Sequence, residues 1–243
     1  MNLIRRPLLG AAAALAPLVI PLAASAFTLG SGRPATQSRQ VAPFQSVASA
    51  GDIDLRITQG PQQLSVSTDD NLLPLLETVV EGSGAGATLK LRWKRGASVH
   101  ERSKTRVTIA MPRLDAIALA GTGDVEVDRY RTPALELRLS GAGDARLNAI
   151  ETASLRLRVA GSGDVTASGQ ATSLQASVSG SGDLHLMALR ADDVRLRIAG
   201  SGDAAVHADR TLDVSIAGSG DVEYSGNARV SSHVAGSGSV KKR

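Results

Sequence analysis

Along much of the chain apolar and polar residues alternate, as in LELRLSGAGDARL over 135–147 and LRLRVAGSGDV over 155–165. Strict period two belongs to strands with one buried and one wet face. Counted back from the first glycine, positions minus six, minus four and minus two are Leu155, Leu157 and Val159 in one segment, and Val194, Leu196 and Ile198 in another. The residues between them are polar: Arg156 and Arg158, Gln175 and Ser177, Arg195 and Arg197, Asp213 and Ser215. Beyond the aspartate the alternation resumes at Val125 and Val127, Leu184 and Leu186, Val222 and Tyr224. Each unit therefore predicts two short strands around a Gly-x-Gly-Asp corner, then a looser turn such as TASGQATS or EYSGNAR.

The corner recurs. Its first glycines are Gly121, Gly141, Gly161, Gly180, Gly200, Gly218 and Gly236, at intervals of 20, 20, 19, 20, 18 and 18 residues. A nearly fixed period of this size indicates a solenoid, whose units bury their apolar faces by stacking on one another. Parallel crossovers are overwhelmingly right-handed, so the expected fold is all-β, a right-handed parallel β-helix with coils of about 20 residues. The Leu-x-x-Leu-x-Leu and Asn grammar of a leucine-rich repeat is missing, and a β-sandwich of short strands is the alternative.

The glycine pairs Gly121 and Gly123, Gly141 and Gly143, Gly161 and Gly163, Gly180 and Gly182, Gly200 and Gly202, and Gly218 and Gly220 read as structural corners. Sharp turns commonly need positive φ, and stacked corners leave no room for a Cβ. Stacking would also align Asp124, Asp144, Asp164, Asp183, Asp203 and Asp221 in a column ending at Ser239. Carboxylates ~4.8 Å apart repel by about 0.9 kcal/mol even in water. Backbone N–H groups of the turns would offset this; bound cations, calcium being the candidate, are the alternative.

Residues 41–113 read as irregular N-terminal coils of the same domain, 41–243, with regular repeats over 114–243. GDIDLRITQGPQQLSVSTDD predicts two strands around a turn at Gln59 to Pro61. NLLPLLETVV predicts a helical turn or bent strand capped by Asp69 or Asp70, TLKLRWKR and TRVTIAMPRL predict further strands, and Gly51-Asp52 resembles a worn first corner. The polar FTLGSGRPATQSRQ, 27–40, reads as a linker. Before it, Arg5 and Arg6, an Ala/Leu-rich stretch and Ala24-Ser25-Ala26 have the layout of a cleaved secretory signal over 1–26. The expected location is therefore outside the cytoplasm: periplasmic, outer-membrane-associated or extracellular. Either general secretion or twin-arginine export would fit the arginine pair.

Without that signal 25 basic residues meet 23 acidic ones, too even a balance, with too few aromatics, for a nucleic-acid partner. No second long apolar run is present, so the mature chain is not expected to be an integral membrane protein. There is no cysteine, which excludes disulfides, thiolate metal sites and a Cys nucleophile. Lys241, Lys242 and Arg243 charge the final strand, a protection against edge-to-edge pairing.

The succession SAGDIDLRITQG, LSVSTDDNLL, LKLRWK and RVTIAMPRLDAIALAGTGDVEV, followed by repeated SGAGD, AGSGD and SGSGD corners, resembles the head GIN domain family of bacterial autotransporter adhesins. The resemblance covers Val41 to the C-terminus and implies an exported β-helical domain with a role in adhesion.

Parallel β-helices also include polysaccharide lyases and hydrolases, whose acids and bases sit on an exposed face. Here Glu126, Glu136, Arg138, Arg156, Arg158, Arg195 and Arg197 are outward candidates for contact with an acidic polysaccharide, though any solvated sheet needs such residues. His100, His185, His207 and His233 occupy different phases and read as solvated or packing residues. No Gly-x-Ser-x-Gly elbow occurs, and Gly82-Ser83-Gly84 lacks a βαβ setting and reads as a turn. The expectation is a non-enzymatic module binding a surface or envelope glycan or protein through Arg138, Arg156, Arg158, Arg195 and Arg197. A carbohydrate-active enzyme and a calcium-binding repeat protein are the alternatives.

Overall fold

The computed structural model describes residues 26–243, so the signal expected over 1–26 lies, Ala26 apart, outside the described residues. The strands are β1 (Ala26–Leu29), β2 (Pro34–Ser38), β3 (Ser46–Gly51), β4 (Asp54–Gln59), β5 (Gln63–Asp69), β6 (Leu76–Glu81), β7 (Thr88–Trp93), β8 (Ala97–His100), β9 (Arg106–Met111), β10 (Ala116–Gly121), β11 (Val125–Asp128), β12 (Arg131–Gly141), β13 (Ala145–Gly161), β14 (Val165–Gly180), β15 (Leu184–Gly200), β16 (Ala204–Gly218), β17 (Val222–Ser225), β18 (Arg229–Gly236) and β19 (Val240–Lys242). From β10 onward the chain is a parallel β-solenoid of stacked coils, as the repeat predicts.

The stack is in register at the corner. Gly51, Gly121, Gly141, Gly161, Gly180, Gly200, Gly218 and Gly236 pair in succession. Coil lengths differ, yet the register shifts fall elsewhere, between Leu147 and Ile150, Thr166 and Ser168, Leu186 and Arg190, and Ala191 and Asp193. Length variation is thus absorbed in the loose turn, and the Gly-x-Gly-Asp corner stays fixed. Inward columns such as Leu137, Leu157, Ala176, Leu196 and Val214 are buried to 1% exposure or less. Truncating one of the leucines, Leu157→Ala, belongs to the class of core changes costing ~2–5 kcal/mol.

The N-terminal part continues this stack and then departs from it. β3 lies parallel to β7 and β10, and β4 parallel to β9 and β11. Beyond them β6 runs antiparallel on β7, β5 on β9 and β2 on β5. The two strands around Gln59 to Pro61 are present as β4 and β5, and NLLPLLETVV forms a 3-10 turn at Leu73–Leu75 leading into β6. That turn has no side-chain cap, contrary to the expectation for Asp69 and Asp70.

The structure differs from two further expectations. Residues 27–40 are not a linker, because β1 pairs parallel with β8 and β2 antiparallel with β5. The cause is Asp69, a fully buried carboxylate that accepts the backbone N–H groups of Gly32 (2.9 Å), Arg102 (2.8 Å) and Ser103 (3.1 Å). Gly30 packs so closely on it that a Cβ would lie 2.0 Å from Asp69 Oδ2. The second correction concerns the worn corner. Gly51 does align with Gly121, but Leu55 aligns with Val125, so Asp54 and not Asp52 stands in the aspartate column.

Candidate functional site

The aspartates form a hydrogen-bonded ladder. Oδ1 of Asp54 accepts the N–H of Asp124, and each Oδ1 in turn accepts that of the next aspartate: Asp124 from Asp144, Asp144 from Asp164, Asp164 from Asp183, Asp183 from Asp203 and Asp203 from Asp221, at 2.7–3.2 Å. The last rung is Ser239, whose N–H and hydroxyl both donate to Asp221 Oδ1 at 2.8 Å. Those bonds, the hydroxyl's first, hold the Asp221 carboxyl below the usual carboxylate range. At the other end Asp54 faces Lys104 Nζ at 3.2 Å and Arg106 Nη2 at 3.7 Å. One oxygen of each aspartate is therefore committed to the backbone of the next coil. Within the column the ligand atoms of Asp164, Asp183 and His185 lie within 4.8 Å of one another.

The corner glycines are held by stacking as much as by conformation. Gly161 has φ +137°, and a Cβ on it would lie 2.1 Å from the Gly141 carbonyl oxygen. Gly163 has no positive φ, yet its Cβ would lie 2.1 Å from the carbonyl oxygen of Gly143. The same close approach recurs from Gly121 and Gly123 up to Gly218 and Gly220.

The outward arginines stand in two adjacent columns. Glu136, Arg156, Gln175, Arg195 and Asp213 align in one, and Arg138, Arg158, Ser177, Arg197 and Ser215 in the other. Glu136 Oε1 meets Arg138 Nε at 2.9 Å and Arg158 Nη1 at 3.4 Å; Asp213 Oδ2 meets Arg195 Nε at 3.3 Å. Arg156 donates to Gln175 Oε1 at 3.1 Å, and Arg197 has no ion-pair partner among the described residues. Five arginines thus share two carboxylates on one flat face. Glu126, counted with them from the sequence, belongs to β11 beyond the corner and faces Arg56 at 3.7 Å.

A groove of about 820 Å³ runs beside this face, along the stacked turns that precede it. Arg131, Glu151, Gln170 and Arg190 align along it as rungs, Asp209 lines its far end, and Thr132, Thr152 and Ala171 lie in its floor. Arg131 pairs with Glu151, and Arg190 with Asp209. At the Asp209 end stands a cluster not legible as a site from the sequence. Ser225 Oγ lies 2.8 Å from His207 Nδ1, and His207 Nε2 lies 3.0 Å from Asp209 Oδ1. The signal was present but weak: Ser225 follows His207 by 18 residues, one short coil, and Asp209 follows it by two.

The other histidines have separate surroundings: His100 stacks on Phe27 at 6.4 Å, and His233 is exposed. Among the described residues no helix is long and apolar enough to cross a membrane.

A family described as "Putative auto-transporter adhesin, head GIN domain" matches residues 43–228. No curated protein matches the chain. Among solved structures, one described as a "putative adhesin" from Bacteroides fragilis NCTC 9343 superposes with a TM-score of 0.83 at 25% identity, covering 89% of this chain and all of that one. A "putative lipid binding protein" from Parabacteroides distasonis ATCC 8503 gives 0.74 at 24% identity, covering 90% of this chain and all of that one. A "putative adhesin" from the same organism gives 0.71 at 24% identity with the same coverage. The last two likenesses concern the fold alone.

Proposed function

This chain belongs to the head GIN domain family, and we propose from that membership that it is an exported binding module of the bacterial envelope or cell surface. Its contact surface is the face carrying Arg138, Arg156, Arg158, Arg195 and Arg197, and its ligand is an extended acidic chain, foremost an acidic glycan. The observation that carries this reading is the excess of five arginines over two carboxylates in two straight columns. Coils repeat every ~4.8 Å, so anionic groups spaced along a linear polymer meet guanidinium groups at regular intervals. Guanidinium forks suit carboxylate and sulfate oxygens. The similarity to a structure described as a "putative adhesin" supports the same role.

The test is binding of the chain lacking residues 1–26 to dextran sulfate and polygalacturonate, with uncharged dextran as control. Saturable, salt-sensitive binding to the acidic polymers is expected, weakened at least tenfold when Arg156, Arg158, Arg195 and Arg197 are all changed to Ser. Equal binding by that variant would remove the face from the proposal. Failure of every acidic polymer to bind would remove the ligand class.

A further inference from the structure

The cluster at the end of the groove has the connectivity of a serine-nucleophile site. We propose that Ser225, His207 and Asp209 hydrolyse carboxylic esters borne by a hydroxyl-rich chain lying in the groove. Ser225 Oγ and His207 Nδ1 are 2.8 Å apart, and His207 Nε2 and Asp209 Oδ1 are 3.0 Å apart. A carboxylate on Nε2 fixes the ring proton there and leaves the Nδ1 lone pair to accept from the serine hydroxyl. Met187 Sδ, 3.4 Å from Ser225 Oγ, is the weaker of the two acceptors within reach of that hydroxyl. Compared with the familiar serine hydrolases the two ring nitrogens exchange places, but the order nucleophile, base, carboxylate is kept, and such sites are identified by geometry and role.

Position in the fold supports the assignment. His207 and Ser225 pair directly on the adjacent strands β16 and β17, so the nucleophile and base are set by the sheet ladder and not by a loose loop. Asp209 links the cluster to the groove, which it lines, and Arg190 Nη2 stands 3.5 Å from its other oxygen. All three side chains are partly exposed. Gly226, next to Ser225, has φ +96°, and its backbone N–H is the donor this proposal assigns to the oxyanion. The groove supplies guanidinium, carboxylate, amide and hydroxyl groups and no aromatic ring, a lining suited to a polyol. The apolar lining of that groove is confined to the small side chains of Pro133, Ala153 and Ala171, so the acyl group is small, of the acetyl kind.

The chemistry closes with water as co-substrate. Ser225 Oγ adds to the ester carbonyl carbon while its proton passes to His207 Nδ1. The bond to the alcohol oxygen breaks, the alcohol leaves with that proton, and the acyl group remains on Ser225. Water then attacks the acyl carbon, its proton moving to His207 and on to Ser225 Oγ as the carboxylic acid departs.

The alternative is that these three side chains only tie neighbouring coils together. A fluorophosphonate probe separates the two, because it modifies activated serines and is indifferent to structural hydrogen bonds. The full chain is incubated with the probe, digested and mapped by mass spectrometry, and p-nitrophenyl acetate hydrolysis is followed in parallel. The expected result is an adduct on Ser225, with hydrolysis reduced at least tenfold in S225A. D209N, which keeps the nucleophile, should label at least tenfold more slowly. An unmodified Ser225 in the unaltered chain, or unchanged hydrolysis by a folded S225A, would overturn the assignment. The arginine face enters neither measurement, so this result is independent of the proposed binding role.

Discussion

The backbone N–H of Asp183 donates to Oδ1 of Asp164 across 2.8 Å, and its own Oδ1 accepts the N–H of Asp203 at the same distance. Each aspartate therefore serves the coil that follows it, so side-chain length matters more than charge. Asp164→Ala would leave the Asp183 N–H without its acceptor at a crowded corner, a loss of about 1–3 kcal/mol. Asp164→Asn keeps a carbonyl oxygen in place and removes one repulsive charge, so it should cost well under half as much. Urea denaturation of the two variants measures the difference, and equal losses would show that charge, not the acceptor, is what the corner needs.

The two corner glycines separate conformation from space. Gly161 combines a positive φ with a close approach, whereas Gly163 has the close approach alone. Gly84 is the opposite case, with φ +59° and nothing within 4 Å of where a Cβ would sit. Gly163→Ala should therefore destabilise as strongly as Gly161→Ala, by ~3 kcal/mol or more, because a neighbouring backbone must move. Gly84→Ala should cost only ~1–2 kcal/mol, the penalty for a left-handed residue in open space. Thermal unfolding of the three variants gives the ranking directly.

Acid should loosen the N-terminal strands before the solenoid. Burial alone would raise the Asp69 pKa, but the N–H groups of Arg102, Ser103 and Gly32 together hold it below the ordinary value. A carboxyl depressed in the folded state contributes stability that is complete above its unfolded pKa, about 4, and is lost as pH falls through the folded value. Below about pH 4, then, hydrogen exchange in β1 and β2 should accelerate while the coils around Leu157 stay protected. Asp69→Asn should show fast exchange in those strands already at neutral pH, since one of its terminal atoms becomes a donor facing donors.

Where sequence and structure agree, the reason is local or periodic. Period two, the spacing of Gly121 to Gly236 and the aspartate after each second glycine specify the coil, its corner and its outward arginines without knowledge of distant contacts. What escaped depends on partners far along the chain. Residues 27–40 look like a linker until Asp69, 37 residues beyond Gly32, is placed among their N–H groups. Asp54 was hidden because Ile53 replaces the second glycine of its corner. The Ser225–His207–Asp209 cluster arises beside the register shifts between Leu186 and Arg190 and between Ala191 and Asp193, and a strict repeat does not predict what its irregular turns bring together.

The aspartate column also sets an expectation for calcium. A cation bound only by the folded state would raise stability by about 2.7 kcal/mol at a hundred times its dissociation constant. Calcium requires six to eight oxygen ligands, while one oxygen of each aspartate here is already engaged by a backbone N–H. The cluster of Asp164, Asp183 and His185 adds a nitrogen, a ligand that suits transition metals better than calcium. The unfolding temperature should therefore be the same in EDTA and in millimolar calcium. A rise of several degrees with calcium would instead make the corners cation sites. If His185→Ala then left that rise intact, the sites would be carboxylate ones distributed along the column, and if it removed the rise, the effect would come from this one cluster.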